Sequence, residues 1–280
     1  MTQGQIQLQF DPYVVFRHST TPPGLYARQK WLDQATDQRW QADFEARVQA
    51  LYRGRHKQGG WGGSPLKTVR GLFDLHLTVR EGAPWIHTSL DRLMQEAFAT
   101  PLQELGPSPP AQLLYGLPFT ASPWPDLLQP AALFLCAIFG RALEAVVLAR
   151  YDELLERVSA AGLGNETTAL VNNLLRALVV HPQYCRHPFT HAVVAWLADH
   201  QTPQGDWLPA LPFFQTLNAL AHLDAPAAHG QTLKAFTWLA AHQRGDGTWG
   251  NSDREWNTFL ALHALRNKEI PSDSMDHPAH

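Results

Sequence analysis

The chain has 280 residues, an apolar fraction of 45%, a charged fraction of 17% and a formal net charge of −3 at neutral pH. This length allows one large domain or two small ones, and the composition excludes a disordered chain. Because the sequence has no basic run and no alternation of basic and aromatic residues, nucleic acid is not an expected partner.

The N-terminus and the cysteines predict a cytoplasmic protein. The stretch MTQGQIQLQFDPYVVF lacks the basic start and long apolar core of a signal peptide. Cys136 and Cys185 form no Cys-x-x-Cys pair and fit a reducing compartment. The longest apolar run, AALFLCAIFG at residues 131–140, is too short to span a bilayer. It is either a buried helix or a shallow patch in peripheral contact with a membrane.

No alternating strand pattern is present, so the fold is predicted to be all-α. Residues 1–25 are expected to form an extended N-terminal segment, residues 26–270 one helical domain, and residues 271–280 a mobile C-terminal tail. In chain order, helices are predicted at residues 29–52, 67–80, 85–99, 127–139, 141–160, 166–180, 187–201, 232–243 and 255–266. His187 and Pro188 are a typical helix start.

The chain contains an internal repeat. With an offset of 42 residues, AWLADHQTPQGDW (195–207) aligns with TWLAAHQRGDGTW (237–249), and the match continues into the following helices. A weaker copy, HKQGGWGGSPLKTVRGLFDLHL, covers residues 56–77, and residues 166–178 resemble only the second helix of a unit. Each unit reads helix, Gly-x-Trp turn, helix. A single such hairpin is too thin to bury its own apolar face, so the hairpins are expected to stack.

The stretch KAFTWLAAHQRGDGTW (234–249) resembles the repeat named for its glutamine and tryptophan in squalene and hopene cyclases. A looser form of that repeat occurs in the β-subunits of protein prenyltransferases. The resemblance implies a single-domain α/α toroid of about five to six helical hairpins, with an inner ring of helices around a central cavity. It also implies that Gln201, Trp207, Gln243 and Trp249 brace neighbouring repeats and do not form a pocket.

The catalytic signatures of the resembled families are absent. The chain has neither the Asp-x-Asp-Asp run with which the cyclases protonate a polyene nor an Asp-Asp-x-x-Asp magnesium motif. The zinc ligands of the prenyltransferases are also missing, because Asp74 is followed by Leu75 and His76, and Asn257 stands near the position expected for the later histidine.

Candidate site residues follow from aligning the inner helices on Thr68, Thr216 and Thr258. The positions one before, two after and six after each threonine share one helix face. They are Lys67, Arg70 and Asp74 on the first helix, Gln215, Asn218 and His222 on the second, and Asn257, Leu260 and Ala264 on the third.

If this stripe faces the cavity, Lys67 and Arg70 could hold a diphosphate or carboxylate, with Arg70, Asp74 and His222 as the catalytic group. Alternatively, Arg70 and Asp74 form an ion pair four residues apart and water satisfies the rest. The remaining polar residues of the stripe are candidate substrate contacts. Five aromatic residues near the turns could line the same cavity: Phe73, Phe213, Phe214, Trp256 and Phe259. Core packing is the favoured role for most of them, and Trp256 and Phe259 are the preferred substrate contacts.

A second cluster lies in HPQYCRHPFTH at residues 181–191. His187 and His191 are four residues apart and Cys185 is close, which suggests a zinc site. The alternative is that these residues are helix caps and surface histidines.

Together these features favour a terpenoid-cyclase- or prenyltransferase-like toroid that binds an isoprenoid or similar lipid-like small molecule, with or without transforming it. One alternative is a non-catalytic toroid for protein or lipid recognition. A less favoured alternative is a carbohydrate-active α/α-barrel, which would need paired carboxylates.

Overall fold

A computed structural model describes residues 8–99, 107–164 and 166–268. Over these residues the chain forms eleven α-helices and four short 3₁₀ helices. The same residues contain no strand, only two isolated bridges at Arg55–Trp61 and Gln201–Trp207. The all-α prediction is therefore confirmed.

The α-helices form two layers. Six of them make an inner ring: α1 (Pro22–Lys30), α3 (Pro65–Thr78), α5 (Trp124–Ile138), α7 (Thr168–Val180), α9 (Phe213–Ala221) and α11 (Arg254–Lys268). The other five pack outside it: α2 (Gln38–Gly54), α4 (Pro84–Ala99), α6 (Ala145–Ala161), α8 (Pro188–Asp199) and α10 (Pro226–Ala241).

Contacts between neighbouring inner helices run from α1 through α3, α5, α7 and α9 to α11, and α11 packs against α1 to close the ring. Burial separates the two layers, since 11 of the 13 residues of α7 are buried but only 5 of the 17 residues of α6. Each inner helix after α1 is followed or preceded by an outer helix that runs back, so the inner helices are parallel. Their C-terminal ends gather at one end of the ring. This is the architecture of an α/α toroid.

The N-terminal region differs from the prediction of one long helix over residues 29–52. Helix α1 begins earlier, at Pro22, where Thr21 accepts a hydrogen bond from the Gly24 amide as N-cap. The chain then breaks, because Asp33 adopts a left-handed backbone (φ 52°) and Asp37 caps a second helix, α2. Aspartate favours these capping and turn conformations over a helix interior, which is why the predicted continuous helix is interrupted.

The apolar run at residues 131–140 lies mostly in α5. Its residues from Ala131 to Cys136 are buried against neighbouring helices, which supports the buried-helix interpretation. Among the helices that the structure describes, none is long and apolar enough to cross a membrane.

The three tryptophans of the repeat make equivalent contacts. Trp61, Trp207 and Trp249 are buried, and each donates its indole N–H to the carbonyl oxygen of the leucine ten residues earlier, at 2.9, 3.1 and 2.8 Å. A bulky indole in each Gly-x-Trp turn therefore ties the turn to the preceding outer helix. The tryptophans belong to the core of the ring.

The two repeat glutamines join each turn to the next unit. The Gln201 amide donates to the carbonyl oxygen of Gln231 on α10, at 2.9 Å. Gln243, at the equivalent position of the last described turn, holds the N-terminal segment: it donates to the Phe10 carbonyl at 2.9 Å and accepts from the amides of Gln9 and Phe10 at 3.0 Å. The N-terminal segment thus takes the place of the next repeat.

Candidate functional site

The inner ring encloses a cavity with about 770 Å³ of empty space, counted out to its mouth. The solvent exposure of the lining residues shows which end of the cavity is open. Phe73 and Trp256, towards the middle of the ring, are 3% and 2% exposed, whereas His222 at the C-terminal end of α9 is exposed. We call the buried end the floor and the open end the mouth. The mouth lies where the C-termini of the inner helices gather.

The floor is aromatic. The rings of Phe73 and Trp256 meet edge to face with centroids 5.7 Å apart, Phe134 lies 6.1 Å from Phe73, and Phe259 stacks on Trp256 at 5.2 Å. The indole N–H of Trp256 is satisfied by the Leu117 carbonyl at 3.0 Å. The floor therefore presents apolar ring surface to a ligand.

Arg176 on α7 brings a positive charge into the wall. It is 3% exposed, and among the described residues its side chain makes one hydrogen bond, from Nη1 to the Asn218 side-chain oxygen at 3.4 Å. Burial lowers the pKa of Arg176 to about 9, so the guanidinium stays charged at neutral pH. No aspartate or glutamate is present among the described residues that line the cavity. A buried cation without a carboxylate partner is costly, which makes this residue a candidate anion-binding group.

Arg80 brings a second guanidinium to the mouth. It follows α3 in a left-handed conformation (φ 64°), a common way to end a helix, although glycine is the usual residue there. Its Nη2 donates to the Gln29 side chain at 2.6 Å, and the guanidinium lies over the Tyr26 ring at 4.4 Å. Its Nε is buried without a partner in the described chain. Desolvation is the main cause that lowers the pKa of Arg80.

Three histidines complete the polar part of the wall. The rings of His222 and His263 are 5.3 Å apart, and Nδ1 of His76 is buried with no partner among the described residues. Desolvation is the largest cause that lowers the pKa of His76 and of His263 to about 4. These two rings are therefore neutral at pH 7.

Six of the residues singled out in the sequence line this cavity: Phe73, Asn218, His222, Trp256, Phe259 and Leu260. Of the α9 part of the polar stripe, Asn218 and His222 thus face the lumen and Gln215 does not. Asn218 links two walls, because its oxygen accepts from Arg176 and its side-chain nitrogen lies 3.2 Å from Nδ1 of His263.

The α3 part of the stripe does not reach the cavity. Asp74 is turned toward the outer helix α2, where its carboxylate pairs with Arg47 at 2.5 Å. Burial raises the pKa of Asp74 although Arg47 opposes the shift. Arg70 donates to the Leu113 carbonyl at 2.7 Å instead of pairing with Asp74, and Lys67 is exposed. The structure therefore does not join Arg70 and Asp74 to His222.

The reason is helix rotation. Consecutive residues of an α-helix point about 100° apart. On α3 the cavity is lined by Phe73, His76 and Leu77, so Asp74, next to Phe73, faces another way. The threonine alignment itself holds at the turns, since Trp61 and Trp249 donate their amides to Thr68 and Thr258, both at 3.2 Å.

Gln215 and Asn257 lie in a separate pocket at the opposite end of the ring, near the Gly-x-Trp turns. This pocket holds about 570 Å³ of empty space and also contains Asp253, whose carboxylate accepts from the Gly116 amide at 2.7 Å. The stripe is thus divided between two ends of the toroid, with Gln215 and Asn257 at one and His222 at the other.

The predicted zinc ligands do not assemble. Nδ1 of His187 accepts from the Phe189 amide at 3.1 Å and caps α8, while the Cys185 thiol lies 3.6 Å from the Pro182 carbonyl. The described residues contain no group of three or more His, Cys, Asp or Glu side chains that could hold a metal ion. The prediction of zinc at Cys185, His187 and His191 is therefore corrected, because the capping role occupies the imidazole of His187.

Sequence reasoning did not find Arg176, Arg80, His76 or His263. Two of them could have been recognised from the sequence, because Arg176 interrupts the apolar stretch LLRALVV and His263 interrupts LALHAL. A charged or titratable residue inside an almost fully apolar helix is unusual in a core and indicates a polar cavity.

The architecture and this cavity define an α/α toroid with an aromatic floor and a cationic mouth. No protein-family model matches the chain. One similar protein is the ent-copalyl diphosphate synthase of Streptomyces sp. (strain KO-3988), which is 28% identical over 159 residues. The match covers 53% of this chain and 30% of that synthase, so the chain spans less than a third of the length of that relative. This distant similarity supports a terpenoid-cyclase-like relationship.

A solved structure shares the fold. The crystal structure of a protein from Actinoplanes matches with a TM-score of 0.52 and 17% identity, over 90% of this chain and 89% of that one. At this identity the comparison supports the fold and carries no information about activity.

Proposed function

We propose that the central cavity binds an isoprenoid or terpenoid anion, with the hydrocarbon on the aromatic floor and a diphosphate-type head group at the arginines. The observation that carries this proposal is Arg176, a buried guanidinium with no carboxylate partner above an apolar floor. An anionic head group would supply the missing countercharge, and a hydrocarbon chain would cover the aromatic surface.

The apolar half of the proposal rests on the floor formed by Phe73, Phe134, Trp256 and Phe259. Burial of hydrocarbon stabilises a complex by about 0.8 kcal/mol per CH₂ group. A five-carbon isoprene unit therefore contributes up to about 4 kcal/mol before the costs of ordering the ligand. Chain length is expected to have a large effect on affinity until the floor is filled.

The polar half rests on Arg176 and Arg80. Both guanidinium groups face the cavity, and the Nε of Arg80 has no described partner. Arginine binds phosphate groups in a bidentate manner, and hydrogen bonds to charged groups are worth about 1.5–3 kcal/mol each. The distant similarity to a synthase whose name contains a terpenoid diphosphate agrees with this choice of head group.

The proposal concerns ligand binding, and catalytic turnover is tested separately. The described lining has no carboxylic acid that could protonate a polyene, and Asp74 points away from the lumen. A neutral histidine could act as a base on a bound ligand. Turnover of prenyl diphosphates and linear polyenes is therefore measured alongside binding, with products identified by mass spectrometry.

The test is isothermal titration calorimetry with a matched set of ligands. Farnesyl diphosphate contains both the hydrocarbon chain and the diphosphate head group. Farnesol lacks the head group, and inorganic pyrophosphate lacks the chain. We expect farnesyl diphosphate to bind more tightly than either fragment, and at least about tenfold more tightly than the five-carbon isopentenyl diphosphate. If none of these ligands binds at millimolar concentration, the proposal is wrong.

A further inference from the structure

The cavity wall combines two arginines, three histidines and no described acidic residue, and this imbalance has a consequence for ligand binding. We propose that binding of a phosphate-type head group is coupled to proton uptake by the cluster of His76, His222 and His263, so that the cavity selects head groups that carry more than one negative charge. This inference rests on the proposed function of the cavity.

The placement of the histidines supports the coupling. His222 and His263 are in direct contact, with ring centroids 5.3 Å apart, and His263 also lies within hydrogen-bond distance of Asn218, which contacts Arg176. His76 stands on the opposite side of the lumen, on α3, with Nδ1 unpartnered. An anion held by Arg176 would therefore have imidazoles on two sides of it.

Every other charged or titratable group among the described residues that line the central cavity is cationic or neutral. Helix α1 contributes the Tyr26 hydroxyl, the segment just after α3 contributes Arg80, α7 contributes Arg176, and α5 contributes only Phe134 and Ile138, which do not titrate. On its outer side His222 also lines a second pocket, which contains Asp224, Arg186, Cys185 and His191. Lys268 on α11 donates to the Leu223 carbonyl at 2.7 Å, and the nearby carboxylate, Asp224, is fully solvent-exposed and 3.9 Å from that ammonium. Without ligand, desolvation is the main cause that keeps His76 and His263 unprotonated.

A bound anion raises the pKa of the nearby histidines and so favours their protonation. A unit negative charge about 4 Å away raises the pKa of a histidine by about three pH units at an effective dielectric constant of about 20. For His76 and His263, whose pKa is about 4 in the free protein, a charge of that size brings protonation to neutral pH. A head group with two charges shifts the pKa further than one with a single charge. Dianionic head groups are therefore favoured over carboxylates.

The experiment measures the binding enthalpy of farnesyl diphosphate at pH 7 in buffers with different ionisation enthalpies. The slope against buffer ionisation enthalpy gives the number of protons taken up, and we expect about one or more per ligand. Affinity should rise by up to tenfold for each pH unit from pH 8 to pH 6 for each proton taken up. Because a phosphate group itself titrates near pH 6, the proton count is interpreted by comparison with variants.

Two variants isolate the histidines. His263→Gln alone, and His76→Gln with His263→Gln, should lower the proton count and flatten the pH dependence of the affinity. His56→Gln is the matched control, since His56 is exposed on the turn between α2 and α3. Thermal unfolding confirms that each variant is folded, and the wild-type buffer series tests the proposal even if one variant fails to fold.

The outcomes separate the two proposals. Binding of farnesyl diphosphate with the same proton count in wild type and both variants would overturn the coupling and leave the proposed function standing. Proton uptake with inorganic pyrophosphate, but no gain from the farnesyl chain, would support the coupling and overturn the isoprenoid assignment. If neither compound binds, both proposals are wrong.

Discussion

Replacing Arg176 with methionine should make the protein more stable and weaken ligand binding. Arg176 is 3% exposed, and burial lowers its pKa from 12.5 to about 9. At about 1.36 kcal/mol per pH unit, this corresponds to about 5 kcal/mol spent on keeping a guanidinium charged inside the ring. The pKa stays above 7, so the whole cost is present at neutral pH.

The expected gain is smaller than this cost. Arg176→Met also removes the contact with Asn218, and replacement of buried ionic groups by apolar ones in other proteins stabilises by about 1–4 kcal/mol. We expect the free energy of unfolding to rise within that range in urea titrations, and the melting temperature to rise by at least about 2 °C. The affinity for farnesyl diphosphate should fall about 30-fold or more, because truncating one side of a buried charge pair costs 2 kcal/mol or more.

Arg244→Met provides the control, since Arg244 is exposed in the last Gly-x-Trp turn and should change neither quantity. The reasoning would be refuted if Arg176→Met lowered the free energy of unfolding by more than about 1 kcal/mol while the affinity stayed at the wild-type value. That result would mean that Arg176 braces the ring and does not receive an anion.

Three further predictions concern pH, the floor and the N-terminal segment. The pKa values of His76 and His263 are about 4 in the folded protein and near 6.5 when unfolded. The ligand-free protein should therefore lose about 1–3 kcal/mol of unfolding free energy per histidine as pH falls from 6.5 to 4. A urea midpoint that does not change over this range would contradict the burial of neutral histidines. Phe73→Leu should weaken farnesyl diphosphate several-fold and leave inorganic pyrophosphate unaffected in calorimetry, whereas an equal loss for both would exclude a separate apolar floor. Gln243→Ala should lower the unfolding free energy by about 1–2 kcal/mol and speed hydrogen exchange of the Phe10 amide, and unchanged exchange would show that the N-terminal segment is held by other contacts.

The architecture could be predicted because it depends on repeated local features. The Gly-x-Trp turns and the 42-residue offset indicate stacked hairpins, and the buried tryptophans carry equivalent hydrogen bonds at 2.9, 3.1 and 2.8 Å in all three copies. The N-terminal region was harder to predict. Its helix α1 completes the inner ring but has no repeat pattern, and the break at Asp33 depends on a single left-handed residue.

The site could be predicted only in part. Asn218 and His222 were found because α9 keeps the repeat register, and Trp256 and Phe259 were found as aromatic residues near a Gly-x-Trp turn. Asp74 was placed in the lumen by the same alignment and lies outside it. Sequence spacing determines which residues share a face of a helix, whereas the packing of the neighbouring helices determines where that face points.

The roles of Arg176 and Arg80 were even harder to predict, because they depend on how the helices pack. Arg176 lies on α7, where only a trace of the repeat remains, and Arg80 lies just beyond the end of α3. Their meeting with His263 around one cavity follows from ring closure and not from any spacing in the chain. The predicted domain bounds at residues 26–270 remain a prediction, and the tail at 271–280 lies outside the described residues.

The most direct test of the central claim is a crystal structure of the protein with farnesyl diphosphate bound. The account predicts diphosphate oxygens within about 3 Å of the guanidinium groups of Arg176 and Arg80, with the farnesyl chain against Phe73 and Trp256. A complex with the ligand bound elsewhere and the central cavity unoccupied, or with the head group at the floor and the chain at the mouth, would contradict it.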